Sequence, residues 1–84
     1  MPKPVEYSRD ALGTLARIDR KTAERIVEKI EQLAVDPASL ANNVRRLRGG
    51  RGMMRLRVGD WRVIYDDRVV LAIIRIAPRG SAYE

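Results

Sequence analysis

Residues 55–65 read RLRVGDWRVIY, and this stretch decides the fold. Two runs of alternating apolar and charged residues flank Gly59-Asp60. A two-residue Gly-X connection is typical of a tight β-hairpin, because glycine reaches positive φ without steric cost. With these two residues as the loop, Arg57 is predicted to lie directly opposite Arg62.

Successive side chains of a strand point to opposite faces, so this hairpin has an apolar face and a cationic face. The predicted core face carries Met54, Leu56, Val58, Trp61, Val63 and Tyr65. The other face carries Arg55, Arg57 and Arg62. Like charges opposite each other on a sheet cost from a few tenths to about 1 kcal/mol. The cationic face is therefore either a solvated surface with splayed guanidinium groups or an anion site, with phosphate the favoured anion.

The composition predicts one small domain, 1–84, and narrows the chemistry. The sequence has no cysteine and no histidine. Disulfides, Cys/His metal sites and histidine acid–base catalysis are thereby excluded, and we expect neither a metal nor a cofactor. No apolar run reaches the roughly 18–20 residues of a membrane span, and no signal-peptide core begins the chain. We therefore expect a cytoplasmic protein that does not bind membranes.

The net charge of +6 is confined to one half of the chain. Residues 1–42 hold seven cations and seven acids, whereas 43–84 hold ten cations and four acids. All ten cations of the second half are arginine. Lysine would serve solubility equally well, so arginine favours bidentate recognition of phosphates or bases. The partners this predicts are a nucleic acid or an acidic protein.

The first half predicts a short strand at 5–7 and then two helices. Ser8 is a good N-cap for a helix of about ten residues, and Asp19 can cap a second one. That second helix ends at Asp36-Pro37, because the residue before proline resists the helical region. Its apolar stripe follows helical spacing: Ala23, Ile26, Val27, Ile30, Leu33 and Ala34. The two helices should form an antiparallel hairpin whose stripe packs on a sheet.

The second half predicts three or four antiparallel strands. Residues 44–48 form a short strand candidate, and 49–52 (Gly-Gly-Arg-Gly) read either as a phosphate-cradling loop or as a flexible turn. Asp66-Asp67 is predicted as a second turn, and the apolar run 69–76 as a central strand. The fold class is therefore α+β, with the N-terminal strand and the helix hairpin packed on one face of a three- to four-stranded antiparallel sheet.

Parity carried through that second turn assigns the last strand to faces. Val70, Ala72, Ile74 and Ile76 are predicted on the core face. Val69, Leu71, Ile73 and Arg75 are predicted on the cationic face. That face would then have an apolar floor of Ile64, Leu71 and Ile73 ringed by arginines, which suits a base or a partner's side chain.

These features resemble the RelE/ParE superfamily of toxins from type II toxin–antitoxin systems. The resemblance covers nearly the full chain and rests on three segments: Arg46-Leu47-Arg48-Gly49, residues 55–65, and Arg79 with Tyr83. Two departures are Ala77-Pro78-Arg79, where members often have Gly-His-Arg, and Met54, where an aromatic residue is common. The resemblance implies the RelE/ParE fold and a tightly bound, RelB-like antitoxin. It also implies that operator DNA is contacted only through that antitoxin.

The resemblance also implies roles for particular residues. RelE-like members cut mRNA in the ribosomal A site, whereas ParE-like members inhibit DNA gyrase. By position, the implied catalytic residues are Arg57, Arg62, Arg79 and Tyr83. Arg55 matches the family's other basic residue on the strand before the hairpin. Independently of the resemblance, charge and position add Arg45, Arg46, Arg48, Arg51 and Arg75 to the predicted RNA-binding residues.

Cleavage of RNA requires little chemical equipment from a protein, because the 2′-OH of the substrate can attack the adjacent phosphate. The protein then has to position the strand and stabilise the added negative charge, which fixed guanidinium groups can do. The favoured hypothesis is a metal-independent, ribosome-dependent mRNA endoribonuclease with ribosome and mRNA as its targets. The alternatives are a ParE-like gyrase inhibitor that is not an enzyme, and an inactive relic that only pairs with its antitoxin.

Overall fold

Two helices and five strands follow one another in the computed structural model, which describes residues 3–47 and 52–80. The helices are α1 (Arg9–Arg17) and α2 (Arg20–Val35). The strands are β1 (Val5–Tyr7), β2 (Val44–Arg46), β3 (Met53–Val58), β4 (Trp61–Asp67) and β5 (Leu71–Pro78). A 3₁₀ segment, Pro37–Asn43, joins α2 to β2. The predicted α+β class and the order of its elements are confirmed.

The strands form one sheet in the order β1-β5-β4-β3-β2. The pairs β2–β3, β3–β4 and β4–β5 are antiparallel, as predicted. The N-terminal strand joins the same sheet and pairs in parallel with β5, placing Val5 beside Leu71 and Tyr7 beside Ile73. The sheet therefore has five strands, because β1 joins the four antiparallel strands that were predicted as its upper limit.

Both helices begin at the predicted N-caps. The Ser8 hydroxyl accepts a hydrogen bond from the Ala11 amide at 3.0 Å, and an Asp19 carboxylate oxygen accepts one from the Thr22 amide at 3.1 Å. Each bond satisfies an amide that the helix itself leaves without a partner. Within residues 3–47 and 52–80, neither helix is long and apolar enough to cross a lipid bilayer.

The core lies between the helices and one face of the sheet. Its buried residues are Ala11, Ile26, Ile30, Leu33 and Leu40 from the helical half, and Leu56, Val58, Val63, Tyr65, Leu71, Ile73 and Ile76 from the strands. Met54 and Trp61 are half-buried and pack against this core. The apolar face of the 55–65 hairpin is thus the core face, as predicted.

The connection between β4 and β5 differs from the prediction. Strand β4 continues through Asp67, so Asp66-Asp67 is not the turn, and the chain reverses at residues 68–70. The register between the two strands also shifts: Ile64 pairs with Arg75, but the next residue, Tyr65, pairs with Ile73. Ile74 is the extra residue of a β-bulge.

The loop between β4 and β5 has three residues, 68–70, where the prediction has two, and this difference of one residue reverses the faces of β5 up to the bulge. Leu71 and Ile73 are buried in the core, so their predicted place on the cationic face is wrong. The core-face assignment of Ala72, which pairs with Asp66, is wrong for the same reason, and Ile74, predicted on the core face, is the unpaired residue of the bulge. Beyond the bulge the predicted faces hold, with Ile76 opposite Val63 in the core. Val69 and Val70 precede the strand and lie in the turn.

Ser8 connects this bulge to the start of α1. Its hydroxyl donates a hydrogen bond to the carbonyl oxygen of Ile74 at 2.6 Å, and its amide donates one to the carbonyl oxygen of Ile73 at 2.8 Å. A single residue therefore caps the helix and satisfies a carbonyl at the irregular point of β5. The bulge determines on which face of the sheet the side chains of Arg75 and Ala77 lie.

Candidate nucleic-acid interface

The β3–β4 hairpin has the predicted two-residue turn and register. Arg57 pairs with Arg62 across the two strands, and Gly59 has the positive φ of +58° that the turn requires. Helix α2 reaches this turn through Arg25. The guanidinium carbon of Arg25 lies 3.8 Å from the position that a Cβ atom on Gly59 would occupy.

The face of the sheet opposite the helices, which we call the arginine face, carries two rows of side chains across the strands. In the row nearer the hairpin turn, Arg57 pairs with Arg62, and Arg62 pairs with Ala77 of β5. Extending the β2–β3 register by one residue places Asn43 opposite Arg57 in the same row. Neighbouring strands lie about 4.8 Å apart, so adjacent members of the row are within reach of one ligand.

The second row lies two residues further from the turn. Arg45 pairs with Arg55, Arg55 with Ile64, and Ile64 with Arg75. Ile64 is only 7% exposed, although it lies on the arginine face. Ile64 is therefore the one member of the predicted apolar floor that lies on the arginine face, since Leu71 and Ile73 lie in the core. Ala77, which is also buried, lies on the arginine face as well.

Six side chains from these rows and the preceding segment line one polar cleft of about 160 Å³: Asn42, Asn43, Arg45, Arg55, Arg57 and Arg62. We call it the arginine cleft. Pockets for drug-sized ligands usually measure about 300–1,000 Å³. The arginine cleft is too small for such a molecule and has the size and charge to hold one anionic group, such as a phosphate.

Arg62 is held in place by the hairpin turn. Its Nη1 atom donates hydrogen bonds to the carbonyl oxygens of Gly59 at 3.1 Å and Trp61 at 3.0 Å. Among the described residues, its Nε and Nη2 atoms have no hydrogen-bond partner. Arg62 can therefore present two donors to a ligand from a side chain that is already fixed.

The surroundings of Arg62 lower its pKa. Partial loss of solvent is the largest cause, followed by the positive charges of Arg55, Arg79 and Arg57, while Asp60 acts in the opposite direction. The guanidinium nevertheless stays charged at neutral pH, since arginine starts from a pKa above 12. An anion bound among these cations would relieve their mutual repulsion.

Arg79 belongs to the same cationic surface but not to the lining of the cleft. Its backbone amide donates a hydrogen bond to the carbonyl oxygen of Asp60 at 2.6 Å, which holds it beside the hairpin turn. From there its charge acts on Arg62. The structure thus brings together Arg45, Arg55, Arg57, Arg62 and Arg79 of the predicted site residues.

The other predicted site residues lie elsewhere. Arg46 pairs with Met54, so it is on the opposite face and lines a different cleft with Arg68. Arg75 is on the arginine face, but it lines a cleft between α1 and β5 that also includes Trp61. Arg48, Arg51 and Tyr83 lie outside the described residues, as does the glycine-rich loop of 49–51.

Asn42 and Asn43 are not among the predicted site residues. Both line the arginine cleft. Residues 43 and 45 share a face if the strand geometry of β2 is extended backwards by one residue. That parity with Arg45 is the signal that could have identified Asn43.

Neither described tyrosine is suited to act as a base. Burial raises the pKa of Tyr65 to about 12, with a further contribution from the negative charge of Asp67. Burial and the nearby Glu31 also raise the pKa of Tyr7, which lies on β1 at the far edge of the sheet. Both phenols keep their protons at neutral pH. The arginine cleft therefore offers anion binding and charge stabilisation.

Asp66, a carboxylate on the arginine face, is already paired. Asp66, at the end of β4, accepts hydrogen bonds from Arg68 Nη2 at 2.6 Å and from Arg68 Nε at 2.9 Å. This pairing lowers the pKa of Asp66. The carboxylate is thereby engaged with Arg68 at the end of the strand away from the arginine cleft.

Comparisons with known proteins agree with this architecture. Residues 5–83 match the family model of the ParE toxin of the type II toxin–antitoxin system parDE. RelE1, a candidate toxin of Methanocaldococcus jannaschii, is 31% identical over 85 residues, covering 95% of this chain and 93% of that protein.

Two solved structures have the same fold. The RelE–RelB complex of Pyrococcus horikoshii OT3 contains a chain with a TM-score of 0.79 and 27% identity, covering 95% of this chain and 98% of that one. The RelBE2 toxin–antitoxin complex of Mycobacterium tuberculosis gives a TM-score of 0.78 at 21% identity, covering 94% and 100%. At that lower identity the likeness concerns the fold alone. From the family match over nearly its whole length, the chain belongs to the RelE/ParE superfamily of toxins from type II toxin–antitoxin systems.

Proposed function

We propose that this toxin is a metal-independent endoribonuclease that cleaves mRNA on the ribosome. The observation that carries the proposal is the arginine cleft, which is lined by four arginines from three adjacent strands. A surface selected only for folding would not place Arg57 directly against Arg62. Binding of a phosphate offsets that repulsion, because each guanidinium can donate two parallel hydrogen bonds to phosphate oxygens.

The proposed reaction uses the 2′-hydroxyl of the RNA as its nucleophile. The 2′-oxygen loses its proton and forms a bond to the neighbouring phosphorus, and the bond from phosphorus to the 5′-oxygen breaks. The leaving 5′-oxygen takes up a proton, so the products are a 2′,3′-cyclic phosphate and a 5′-hydroxyl end. Negative charge builds up on the phosphate oxygens in between, and Arg57 and Arg62 are placed to stabilise it.

The rest of the arginine face supports this step by positioning the strand. Arg45 and Arg55 form a row two residues away, a distance of about 6–7 Å along the strands, where they can hold a neighbouring phosphate. Arg79 adds positive charge beside Arg62. One well-placed donor to a developing negative charge changes the rate by about 10²- to 10³-fold.

The proton of the 2′-hydroxyl is the remaining requirement. We assign its removal to Tyr83, which lies outside the described residues. Arg46, Arg48, Arg51 and Arg75 are assigned to sequence-independent contacts with RNA, which depend on charge more than on a single geometry.

The proposed protein partner is a RelB-like antitoxin. RelE chains of the same fold are bound to RelB in the Pyrococcus and Mycobacterium complexes. An acidic antitoxin would complement the ten arginines of residues 43–84. Operator DNA would then be reached only through the antitoxin.

A second candidate function is inhibition of DNA gyrase without catalysis. The observation that favours it is the match of residues 5–83 to the ParE family model. A gyrase inhibitor needs the arginine face only for binding, so its effect would not depend on the chemistry of an RNA 2′-hydroxyl.

The two candidates are separated by changing one atom of the substrate. Ribosomes are programmed with an mRNA, and with the same mRNA carrying 2′-deoxyribose in the codon at the A site. The proposal predicts cleavage of the first mRNA, a cyclic phosphate at its new end, and no cleavage of the second. Equal cleavage of both mRNAs, or none of either with inhibition of purified gyrase, would refute it.

A further inference from the structure

The arginine cleft contains two groups that a phosphate alone does not require. Arginine side chains carry only hydrogen-bond donors, and a phosphate diester offers only acceptors. Among the described residues that line the cleft, Asn42 and Asn43 are the two whose side chains carry a hydrogen-bond acceptor. An acceptor at this place suits a ligand that carries N–H or O–H groups.

Of the two asparagines, Asn43 is the better placed. The extended β2–β3 register puts it opposite Arg57, in the same row as Arg62. It is half-buried, whereas Asn42 is exposed. Its position at the end of the 3₁₀ segment, directly before β2, ties its backbone to the sheet.

A purely structural role for the Asn43 side chain has no support in its contacts. Asparagine is common near turns because its carboxamide bonds to nearby backbone groups. Within residues 3–47 and 52–80, the Asn43 carboxamide makes no such hydrogen bond, in contrast to the capping side chains of Ser8 and Asp19. Its donor and acceptor are therefore available to a ligand held by the arginines.

We propose that Asn43 is a specificity-determining residue that reads the base beside the scissile phosphate and favours adenine. A carboxamide pairs bidentately with adenine, accepting from the N6 amino group and donating to N7. Single-stranded RNA presents these edges because its bases can be turned out of the stack. The phosphate would be held by Arg57 and Arg62, and the base would reach Asn43 at the end of the same row. This inference rests on the proposed endoribonuclease function.

The test compares cleavage of two mRNAs on the ribosome that differ only in having adenine or uracil beside the cut. Wild-type toxin is expected to favour adenine about tenfold, within the discrimination that one bidentate pair provides. Asn43→Ala should bring the ratio close to one while uracil-containing mRNA is still cleaved. Gln32→Ala, which removes a carboxamide from α2 outside the cleft, is the matched control and should keep the wild-type ratio.

A third mRNA carrying 7-deazaadenine identifies the atoms involved. This base lacks the N7 acceptor, so wild-type cleavage should fall toward the uracil level, while Asn43→Ala should cleave adenine and 7-deazaadenine alike. The inference is overturned if Asn43→Ala keeps the wild-type ratio, or if it lowers cleavage of all mRNAs equally together with the thermal stability. Failure of the proposed function has a different signature, since wild-type toxin would then leave every mRNA intact.

Discussion

Replacing Arg57 by glutamine separates the functional from the structural effect of the paired arginines. Glutamine keeps most of the length and polarity of the side chain but removes the charge opposite Arg62. Arg57 is exposed and makes no hydrogen bond or ion pair within residues 3–47 and 52–80, so the change removes no stabilising contact there. We expect activity and stability to move in opposite directions.

The two magnitudes follow from the geometry. Loss of one donor to the phosphate should lower the cleavage rate by about 10²- to 10³-fold, equivalent to about 3–4 kcal/mol. Relief of the like-charge pair should raise the free energy of unfolding by about 0.2–1 kcal/mol. In a domain of this size, such a gain raises the melting temperature by up to several degrees.

The assay measures both quantities on the same preparation. Cleavage of ribosome-bound mRNA gives the rate, and urea denaturation gives the free energy of unfolding. Arg9→Gln is the matched control: it removes one exposed arginine at the start of α1, outside the arginine cleft. It should leave the cleavage rate within a few-fold of wild type. The reasoning fails if Arg57→Gln cleaves as well as this control, or if the substitution destabilises the fold by more than 1 kcal/mol.

Three further predictions concern the fold. Ser8→Ala removes both the cap of α1 and the hydrogen bond to Ile74. It should lower the free energy of unfolding by about 1–2 kcal/mol in urea denaturation. A loss below a few tenths of a kcal/mol would contradict the role given to Ser8. Ile30→Ala, at a fully buried site, should lower the free energy of unfolding by about 2–5 kcal/mol in the same assay. Val69→Ala, at a position 87% exposed, should change that free energy by less than about 0.5 kcal/mol. Similar values for the two variants would be inconsistent with the core described. The pKa of Tyr65 is about 12 in the folded protein and about 10 in the unfolded chain, so the unfolded chain loses this proton first as the pH rises. The free energy of unfolding should therefore fall by about 2–3 kcal/mol in total between pH 10 and 12. Tyr65→Phe should reduce that loss, and an unchanged pH profile would refute the assignment.

The hairpin and the helix ends could be predicted from the sequence because their determinants are local. The Gly59-Asp60 turn and the alternation on each side of it fix the register of Arg57 against Arg62. The caps at Ser8 and Asp19 act on amides three residues away. In each case the interacting groups are close in sequence, so the pattern contains the information.

The faces of β5 could not be predicted, because they depend on the length of the loop before the strand and on a bulge that contacts a distant part of the chain. Ile74 resembles its apolar neighbours in sequence, and nothing local marks it as a bulge. Its carbonyl accepts a hydrogen bond from the Ser8 hydroxyl, 66 residues earlier. Leu71 and Ile73 were misplaced for another reason: the loop before β5 has three residues, 68–70, whereas the prediction used the two residues Asp66-Asp67.

The candidate site also combines residues that could be predicted from the sequence with residues that could not. The arginines of the hairpin, Arg55, Arg57 and Arg62, were predicted on one face and are found there. Asn43 was missed because it precedes β2, and only the register of β2 against β3 places it opposite Arg57. The arginine cleft combines a local hairpin with a strand whose pairing is non-local.

The central claim is that the arginine cleft cleaves RNA, and the most direct measurement is 5′-end sequencing of cellular mRNA immediately after toxin induction, with DNA supercoiling measured in parallel. The account predicts new mRNA ends inside translated reading frames for the wild-type toxin, none for Arg57→Gln, and unchanged supercoiling. Intact mRNA together with altered supercoiling on induction of the wild-type toxin would contradict this claim, whether or not Arg57→Gln also alters supercoiling.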